Sequence, residues 1–347
     1  MIKTDKYLKE TIQEILESGS RDQNPRPKNS KGEPAHSRFI TQKVFEYNIS
    51  DSQFPITTLR TTALRGAFHD IEAIYIKQTN ILEEMHPSIK DWWKDFIIDR
   101  SYRYAEGEVD EAIGCDEGYK QTAIDKGLNP ILHHSYLGAT YGATVRRYDL
   151  MNKLLKGLEE NPFGRRHKIN LWQEQQVIDD PQALEPCAGF TSWSVREERY
   201  IIHSDGSKES YSMDIWDFKE GSITLTPINI RYIDLTLFQR SMDYLTTSSI
   251  NPAQYVMLGM IVANHLTFKT GIKHEVGKFL HIVQNCHIYE AHFDAAKEIL
   301  EREPINEQPL IKLKCKPKNF YEHTIDDFEF SNLEGIKPLT NKLEIAI

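Results

Sequence analysis

The apolar residues of the chain recur in some segments at the spacing of a helix and in others at the spacing of a strand. Residues 4–18 place Ile12, Ile15 and Leu16 on one side, which predicts an amphipathic helix near the N-terminus. A polar loop rich in Gly, Pro, Asn and Ser follows at 19–36. Further helices are predicted at 61–78, 148–158, 252–268 and 293–303.

Alternation of apolar and polar residues, enriched in β-branched and aromatic side chains, predicts strands mainly in the second half of the chain. Two of the intervening turns carry Asp205-Gly206 and Glu220-Gly221, which favours antiparallel neighbours in that region. The predicted strands cover 39–49, 167–173, 190–197, 199–204, 214–219, 222–228, 231–240 and a segment that begins at 277.

The order of these elements mixes helices with strands and therefore predicts an α/β (α+β) fold. With 39% apolar residues, the 347-residue chain can bury one large core or two ordinary ones. We expect residues 1–347 to form a single domain, because the elements do not separate into two groups. Insertions are expected near 97–135 and 200–230.

Composition limits the classes of function. The formal net charge is -9, so the broad basic face that nucleic-acid binding needs is not expected. No run approaches the roughly 20 apolar residues that cross a bilayer, and the charged N-terminus differs from a signal peptide. These features predict a cytoplasmic protein that binds neither DNA nor membranes. An anionic ligand would need a local cluster of arginines.

Four cysteines are present, and neither their spacing nor that of the histidines is typical of a metal site, so no metal is predicted. Cys187 follows a proline, precedes small residues and lies just before a predicted strand, where a ligand can reach it. Nearby arginines would favour the nucleophilic thiolate. The ordinary alternative is a buried, inert thiol.

Other segments carry polar side chains suited to a small anionic ligand. The pair Arg165 and Arg166 leaves a Pro/Gly turn, and a guanidinium binds phosphate through two parallel hydrogen bonds. Asn251 offers a donor and an acceptor to a pyrimidine edge. The ordinary alternatives are an ion-paired or solvated arginine pair and a helix N-cap. Further polar candidates are Gln239, Arg240 and Ser241 at a strand end, and His287 and Tyr289 on one strand face, which either hold a sugar hydroxyl or are satisfied within the protein.

Six short motifs occur in a fixed order, and together they indicate more than any one of them alone. Their order and spacing resemble the thymidylate synthase family, which includes deoxypyrimidine monophosphate hydroxymethylases. The resemblance runs from residue 54 to the C-terminus, and KGEPAH in the N-terminal loop is similar to one branch of the family. The motifs, with their first residues, are FPITTLR (54), LGATYG (137), NPFGRR (161), PC (186), QRSMD (239) followed by Asn251, and HIYEAH (287).

The resemblance implies a large twisted mixed β-sheet flanked by helices, and a homodimer formed through the sheets. It implies that Cys187 adds to C6 of dUMP, so that C5 can attack the methylene carbon of 5,10-methylenetetrahydrofolate. Tyr141 would assist proton removal at C5, and Asn251 would recognise the base. The cytosine-specific hydroxymethylases of the family carry Asp at the Asn251 position, so the resemblance favours dUMP as substrate.

The resemblance assigns roles to the remaining candidates as well. Arg240 and Ser241 would bind the 5′-phosphate, with Arg26 as the arginine from the N-terminal loop, and Gln239 would be a further substrate-binding residue. Arg165 and Arg166 would reach that phosphate from the partner subunit. The other implied contacts are those of His287 and Tyr289 with the deoxyribose 3′-hydroxyl, and of Asp243, Trp92, Trp93 and the C-terminal Ile347 with the folate.

The sequence departs from the family pattern mainly on the folate side. The family's active-site glutamate has no clean match: Asp70 is the nearest equivalent, and His69 and Glu72 are rivals. Ala188 stands where many members have histidine after the nucleophile, and Asn285 replaces a family aspartate.

The family's active-site tryptophan is equally open. It corresponds to Trp92 or Trp93, whereas an ungapped alignment places Lys90 there. That tryptophan shields the exocyclic methylene from water. The leading hypothesis is therefore thymidylate synthase, and the alternative is a dUMP hydroxymethylase that makes 5-hydroxymethyl-dUMP with the same cosubstrate. A non-catalytic nucleotide- or RNA-binding regulator is the alternative from another class.

Overall fold

The computed structural model describes residues 1–29, 31–97, 99–104, 130–179, 181, 183–202, 208–210, 226–341 and 343. Both turns predicted from Asp205-Gly206 and Glu220-Gly221 lie outside these ranges, as do most of the two expected insertions and the C-terminal Ile347.

Eleven strands occur in the described part of the chain. They are β1 (Ser20–Arg21), β2 (Ser37–Asn48), β3 (Asp99–Tyr104), β4 (Pro130–Tyr136), β5 (Lys168–Asn170), β6 (Ala188–Ile202), β7 (Lys208–Ser210), β8 (Thr226–Asp243), β9 (Lys273–Tyr289), β10 (Leu310–Leu313) and β11 (Phe328–Ser331).

Seven of these strands form one mixed sheet. Its order is β1-β2-β9-β8-β6-β5, and β7 pairs with β6. The neighbours are antiparallel except β8 and β9, which are parallel because a long helix connects them. This large mixed sheet with helices packed against it confirms the predicted fold class.

The helices among the described residues are α1 (Lys3–Ser18), α2 (Leu64–Ile71), α3 (Pro87–Trp93), α4 (Gly142–Arg147), α5 (Leu150–Glu160), α6 (Glu174–Asp179), α7 (Tyr244–Thr247), α8 (Ile250–Thr270) and α9 (Phe293–Glu301). Helix α8 is apolar nearly all round and buried along most of its length, because it packs against β9 on one side and α2 on another. None of the helices in the described ranges combines the length and apolarity that crossing a bilayer requires.

Several predicted elements differ from the observed ones. The helix predicted at 148–158 corresponds to α5, which begins only at Leu150 because Asp149 adopts a left-handed conformation with φ of 51° and separates it from the shorter α4. The strands predicted at 190–197 and 199–204 are one continuous strand, β6, because their alternation is never interrupted by a turn. The described ends of the first expected insertion form an antiparallel strand pair, β3 with β4.

The sheet topology brings the ends of four strands to one edge. Strands β8 and β9 are parallel, so Asp243 and His287 lie opposite each other near their C-terminal ends. The antiparallel partners start at the same edge: Ala188 of β6 faces Gln239, and Ser37 of β2 faces Tyr289. Segments far apart in sequence therefore meet there.

Candidate active site

A cavity of 1520 Å³ opens at this sheet edge, between the strand ends, the N-terminal loop and helices α2, α3 and α8. Thirteen of the predicted site residues line it. They are Arg26, Asp70, Trp92, Trp93, Tyr141, Cys187, Gln239, Arg240, Ser241, Asp243, Asn251, His287 and Tyr289.

The main chain of Cys187 is held on both sides, and its thiol remains partly exposed to the cavity. Its backbone N–H donates to the Tyr141 hydroxyl at 3.0 Å, and its carbonyl accepts from the backbone N–H of Arg240 at 2.9 Å. The Ser241 hydroxyl lies 3.6 Å from the sulfur. The structure therefore places an accessible thiol in a fixed backbone frame.

Tyr141 adopts a backbone conformation that non-glycine residues rarely adopt, with φ of 44° and ψ of −107°. Such strain persists only where the surrounding structure enforces it, and it is found often at active sites. Burial raises the pKa of the Tyr141 hydroxyl well above its usual value, so the group is neutral at physiological pH.

The Arg240 guanidinium is anchored to the segment that precedes the nucleophile. It donates to the Pro186 carbonyl at 3.1 Å and to the Glu185 carbonyl at 2.8 Å, and it lies over the Trp172 ring at 5.9 Å. These contacts leave Arg240 in the cavity wall beside Ser241. Arg26 reaches the same cavity from the N-terminal loop, where it is exposed.

Among the three candidates for the acidic residue, only Asp70 lines the cavity. His69 and Glu72 bond to each other at 3.0 Å and lie outside its lining. One Asp70 oxygen accepts from the Trp93 indole N–H at 2.7 Å, and the other accepts from the Gln254 amide at 2.7 Å. Burial raises the pKa of Asp70 to about 6, although both hydrogen bonds oppose the shift by stabilising the carboxylate.

Because the folded protein binds the Asp70 proton more tightly than the unfolded chain does, we expect wild-type stability to fall as pH rises from about 4 through about 6. Asp70→Asn removes this loss, because Gln254 can turn its amide to accept from the new NH2 group. The variant should be more stable than wild type at pH 8, by up to about 3 kcal/mol for a shift of this size. The advantage should shrink toward pH 4.

Urea unfolding at pH 4, 6 and 8, at matched protein concentration, measures this difference as a change in midpoint. A stability difference that did not vary with pH would contradict the buried ionisable role of Asp70.

The two adjacent tryptophans occupy different parts of the wall. Trp93 is buried, bonds to Asp70 and contacts the Tyr141 ring edge-on at 5.3 Å between centroids. The Trp92 ring covers Gly66 so closely that a Cβ there would lie 2.8 Å from it. The Lys90 ammonium instead donates to the Glu83 carbonyl, and Lys90 is not part of the lining.

Asp243, at the C-terminal end of β8, has one unused acceptor. Its Oδ2 accepts from the Thr246 hydroxyl, whereas its buried Oδ1 bonds to no described residue. Asn251 lies in the first turn of α8, whose N-cap is Ser249, so the N-cap alternative for Asn251 is wrong. Its amide remains part of the cavity lining.

His287 and Tyr289 lie side by side on β9, with ring centroids 5.1 Å apart. The His287 Nδ1 bonds to the Asn285 amide oxygen at 3.1 Å, which favours the tautomer that carries the proton on Nδ1. Burial lowers the pKa of His287, so the ring is neutral near pH 7 and its other nitrogen is an acceptor.

Gln239 has both ends of its amide engaged within the protein. Its oxygen accepts from the buried His281 ring at 2.9 Å, and its NH2 donates to the Ser241 carbonyl at 3.0 Å. Burial lowers the pKa of His281 to about 3, so this ring is neutral. Gln239 therefore fixes Ser241 in place.

Two predicted groups are not brought to the cavity of this chain. Arg165 and Arg166 are exposed on the loop before β5 and do not line the cavity. Ile347 lies outside the described residues, although Leu343 in the same tail reaches the cavity lining.

Gln254, Trp172 and His281 also contribute to the site, although none of them was predicted from the sequence. Gln254 had a detectable signal, because it follows Asn251 by three residues on a predicted helix and so shares its face. Trp172 and His281 act through residues distant in sequence, and local patterns gave no sign of them.

Away from the cavity, Cys315, His323 and Asp327 bring potential metal-ligand atoms within 4.8 Å of one another, a cluster that sequence spacing did not indicate. The Lys318 ammonium lies 2.7 Å from the Asp327 carboxylate, so the charge of that carboxylate is balanced without a metal ion.

Comparisons with known proteins agree with this geometry. The family model for thymidylate synthase matches residues 5–345. The chain is 32% identical to the thymidylate synthase of Streptococcus thermophilus and 33% identical to that of Streptococcus pneumoniae, in both cases over 100% of each protein. Its fold matches the thermostable thymidylate synthase A from Bacillus subtilis with a TM-score of 0.68 at 21% identity, over 99% of both chains. The chain therefore belongs to the thymidylate synthase family, and it is an enzyme that transfers a one-carbon unit.

Proposed function

We propose that this enzyme converts dUMP to dTMP, with 5,10-methylenetetrahydrofolate as the one-carbon donor and no metal. The observation that carries the proposal is the position of the Cys187 thiol beside Ser241 and Arg240, on a wall that also holds the base- and sugar-binding candidates. The wall thus offers side chains that can bind the phosphate, the base and the sugar of a pyrimidine nucleotide.

The nucleotide would be oriented by three groups of side chains. Arg240, Ser241 and Arg26 bind the 5′-phosphate, because guanidinium and hydroxyl donors suit its oxygens. Asn251 bonds the edge of the base. His287 and Tyr289 bond the 3′-hydroxyl, for which the neutral His287 ring offers an acceptor.

The first chemical step is addition of the Cys187 thiolate to C6 of the pyrimidine. The new S–C6 bond moves the electron pair of the C5–C6 double bond toward C5 and the C4 carbonyl, so C5 becomes a nucleophile. Tyr141 assists removal of the C5 proton, and Asp70 relays protons at the same wall. Restoration of the double bond expels the Cys187 sulfur at the end of the sequence.

Other residues of the cavity lining fit the folate. The unused Asp243 oxygen can accept an N–H of the pteridine, and Trp92 and Trp93 offer flat apolar surface in the same cavity. When bound, the folate supplies the one-carbon unit and, for a methyl product, the hydride. We propose that the tail ending in Ile347 covers the bound folate.

The methyl product is favoured over the hydroxymethyl product by the position of Trp93. Its indole is fixed by Asp70 and faces the cavity beside Tyr141, so it excludes water from the space above the reacting base. A hydroxymethylase is the second candidate, and in that enzyme water would add where the hydride is transferred in a synthase.

The product distinguishes the two candidates. We expect wild-type enzyme with dUMP and 5,10-methylenetetrahydrofolate to yield a nucleotide heavier by one CH2, with release of dihydrofolate. Mass spectrometry of the nucleotide in water enriched in oxygen-18 checks this, because only a hydroxymethyl group takes oxygen from solvent. A gain of CH2O with labelled oxygen and no folate oxidation would contradict the synthase assignment.

The exposed position of Arg165 and Arg166 supports a homodimer in which each chain donates these residues to the phosphate site of its partner. We propose, accordingly, one catalytic domain per chain and two composite sites per dimer.

A further inference from the structure

Two side chains of the cavity lining that the structure describes bond to the Asp70 carboxylate from other helices, the Trp93 indole and the Gln254 amide. We propose that Gln254 is a positioning residue that fixes the orientation of Asp70, and that its length compensates for the short acid at this position. The inference deepens the proposed function and rests on it, because Asp70 matters there as the proton-relaying acid.

The geometry leaves the carboxylate no freedom to rotate. Asp70 lies in the last turn of α2 and Gln254 in the second turn of α8, and the Trp93 indole approaches from α3. Each of the two donors takes a different Asp70 oxygen, both at 2.7 Å. Rotation of the carboxylate away from this geometry would break at least one of these two hydrogen bonds.

The side chains of Asp70 and Gln254 together span the distance between the backbones of α2 and α8. Aspartate contributes one methylene between backbone and carboxylate, and glutamine contributes two between backbone and amide. A glutamate at position 70 facing an asparagine at position 254 would have the same combined length. Either change alone would leave the pair too long or too short for a 2.7 Å bond.

Among the residues that the structure describes, no neighbouring charge can take over the role of Gln254. The titratable groups that face Asp70 are the hydroxyls of Tyr75, Tyr141 and Tyr255, and burial raises the pKa of each well above its usual value. These groups stay neutral across the pH range in which Asp70 titrates. The Gln254 amide therefore stabilises the carboxylate by direct donation, and its loss raises the pKa of Asp70.

The experiment compares Gln254→Leu, Gln254→Asn, Asp70→Glu and the double variant Asp70→Glu/Gln254→Asn with wild type. Wild-type turnover of dUMP is established first, so that failure of the proposed function is distinguished from failure of this inference. Gln254→Leu should lower kcat about tenfold and leave KM for dUMP within about twofold. The midpoint of the pH dependence governed by Asp70 should rise by about one pH unit.

The double variant should recover to within about threefold of the wild-type kcat, although each single change lowers it more. Gln176→Leu is the matched control, because Gln176 is also a buried glutamine with one hydrogen-bonded partner, Thr144, but lies outside the cavity. It should leave the pH midpoint unchanged.

Three results would overturn the inference. In the first, Gln254→Leu retains both the wild-type kcat and the wild-type pH midpoint. In the second, Gln254→Leu raises KM for dUMP without moving that midpoint, which would make Gln254 a nucleotide contact. In the third, the kcat of the double variant is no higher than that of the less active single variant. Circular dichroism of each variant confirms that the comparison is made on folded protein.

Discussion

Replacement of Cys187 by serine is expected to lower kcat for dUMP by at least about 10³-fold, the scale typical of losing a covalent nucleophile. A serine hydroxyl remains protonated near pH 7, so it adds poorly to C6 even in the same backbone frame. The frame itself should survive, because Tyr141 and Arg240 hold the main chain of residue 187 and not its sulfur. Binding of dUMP, measured by calorimetry, should therefore change by less than about tenfold, or about 1.4 kcal/mol.

Cys315→Ser is the matched control for this experiment. Cys315 is also a partly exposed cysteine, but it lies beside His323 and outside the cavity. Its replacement should leave turnover unchanged. Full turnover by the Cys187 variant would remove the basis of the covalent mechanism.

The second large effect is expected from Arg166→Ala, which should lower kcat/KM for dUMP by about 10²-fold through loss of a charged phosphate contact. Arg166 is exposed and does not line the cavity of its own chain, so in the proposed homodimer the loss would arise at the phosphate site of the partner. An inactive Arg166→Ala subunit paired with an inactive Cys187→Ser subunit should form one complete site, because the first keeps its thiol and the second donates its arginine. After subunit exchange at equal concentrations, about a quarter of the wild-type activity should return.

Arg240→Ala supplies the control for this complementation. Arg240 belongs to the same cavity as Cys187 of its own chain, so no pairing of the Arg240 and Cys187 variants restores a complete site. Equal recovery with both arginine variants, or none with Arg166→Ala despite exchange shown by native mass spectrometry, would contradict the shared site.

Much of this site was predictable because its residues come in short motifs. QRS at 239–241 and HIY at 287–289 alternate on strands, so their faces follow from the sequence alone. The pattern could not choose between His69, Asp70 and Glu72, because all three lie within one helical turn. Burial and the donors on α3 and α8 single out Asp70, and those contacts join residues 23 and 184 positions apart.

The fold was predictable to a similar depth. Hydrophobic periodicity located α1, α8 and α9, whose apolar faces are continuous. It could not indicate the break at Asp149 or the parallel pairing of β8 with β9, since both depend on tertiary packing. The parallel pairing matters most for the site, because it brings the ends of both strands to one edge.

The bonds from the Arg240 guanidinium to the carbonyls of Glu185 and Pro186 have a consequence for substrate selection. The cation that we propose to bind the phosphate is joined to the backbone that presents the Cys187 sulfur. Part of the phosphate's binding energy can therefore be used to hold the nucleophile in line with the ring instead of merely retaining the ligand. A nucleoside without phosphate would bind at the same wall but would leave the Cys187 sulfur less constrained. Recognition of the phosphate would therefore affect the reactivity of the sulfur toward the pyrimidine ring.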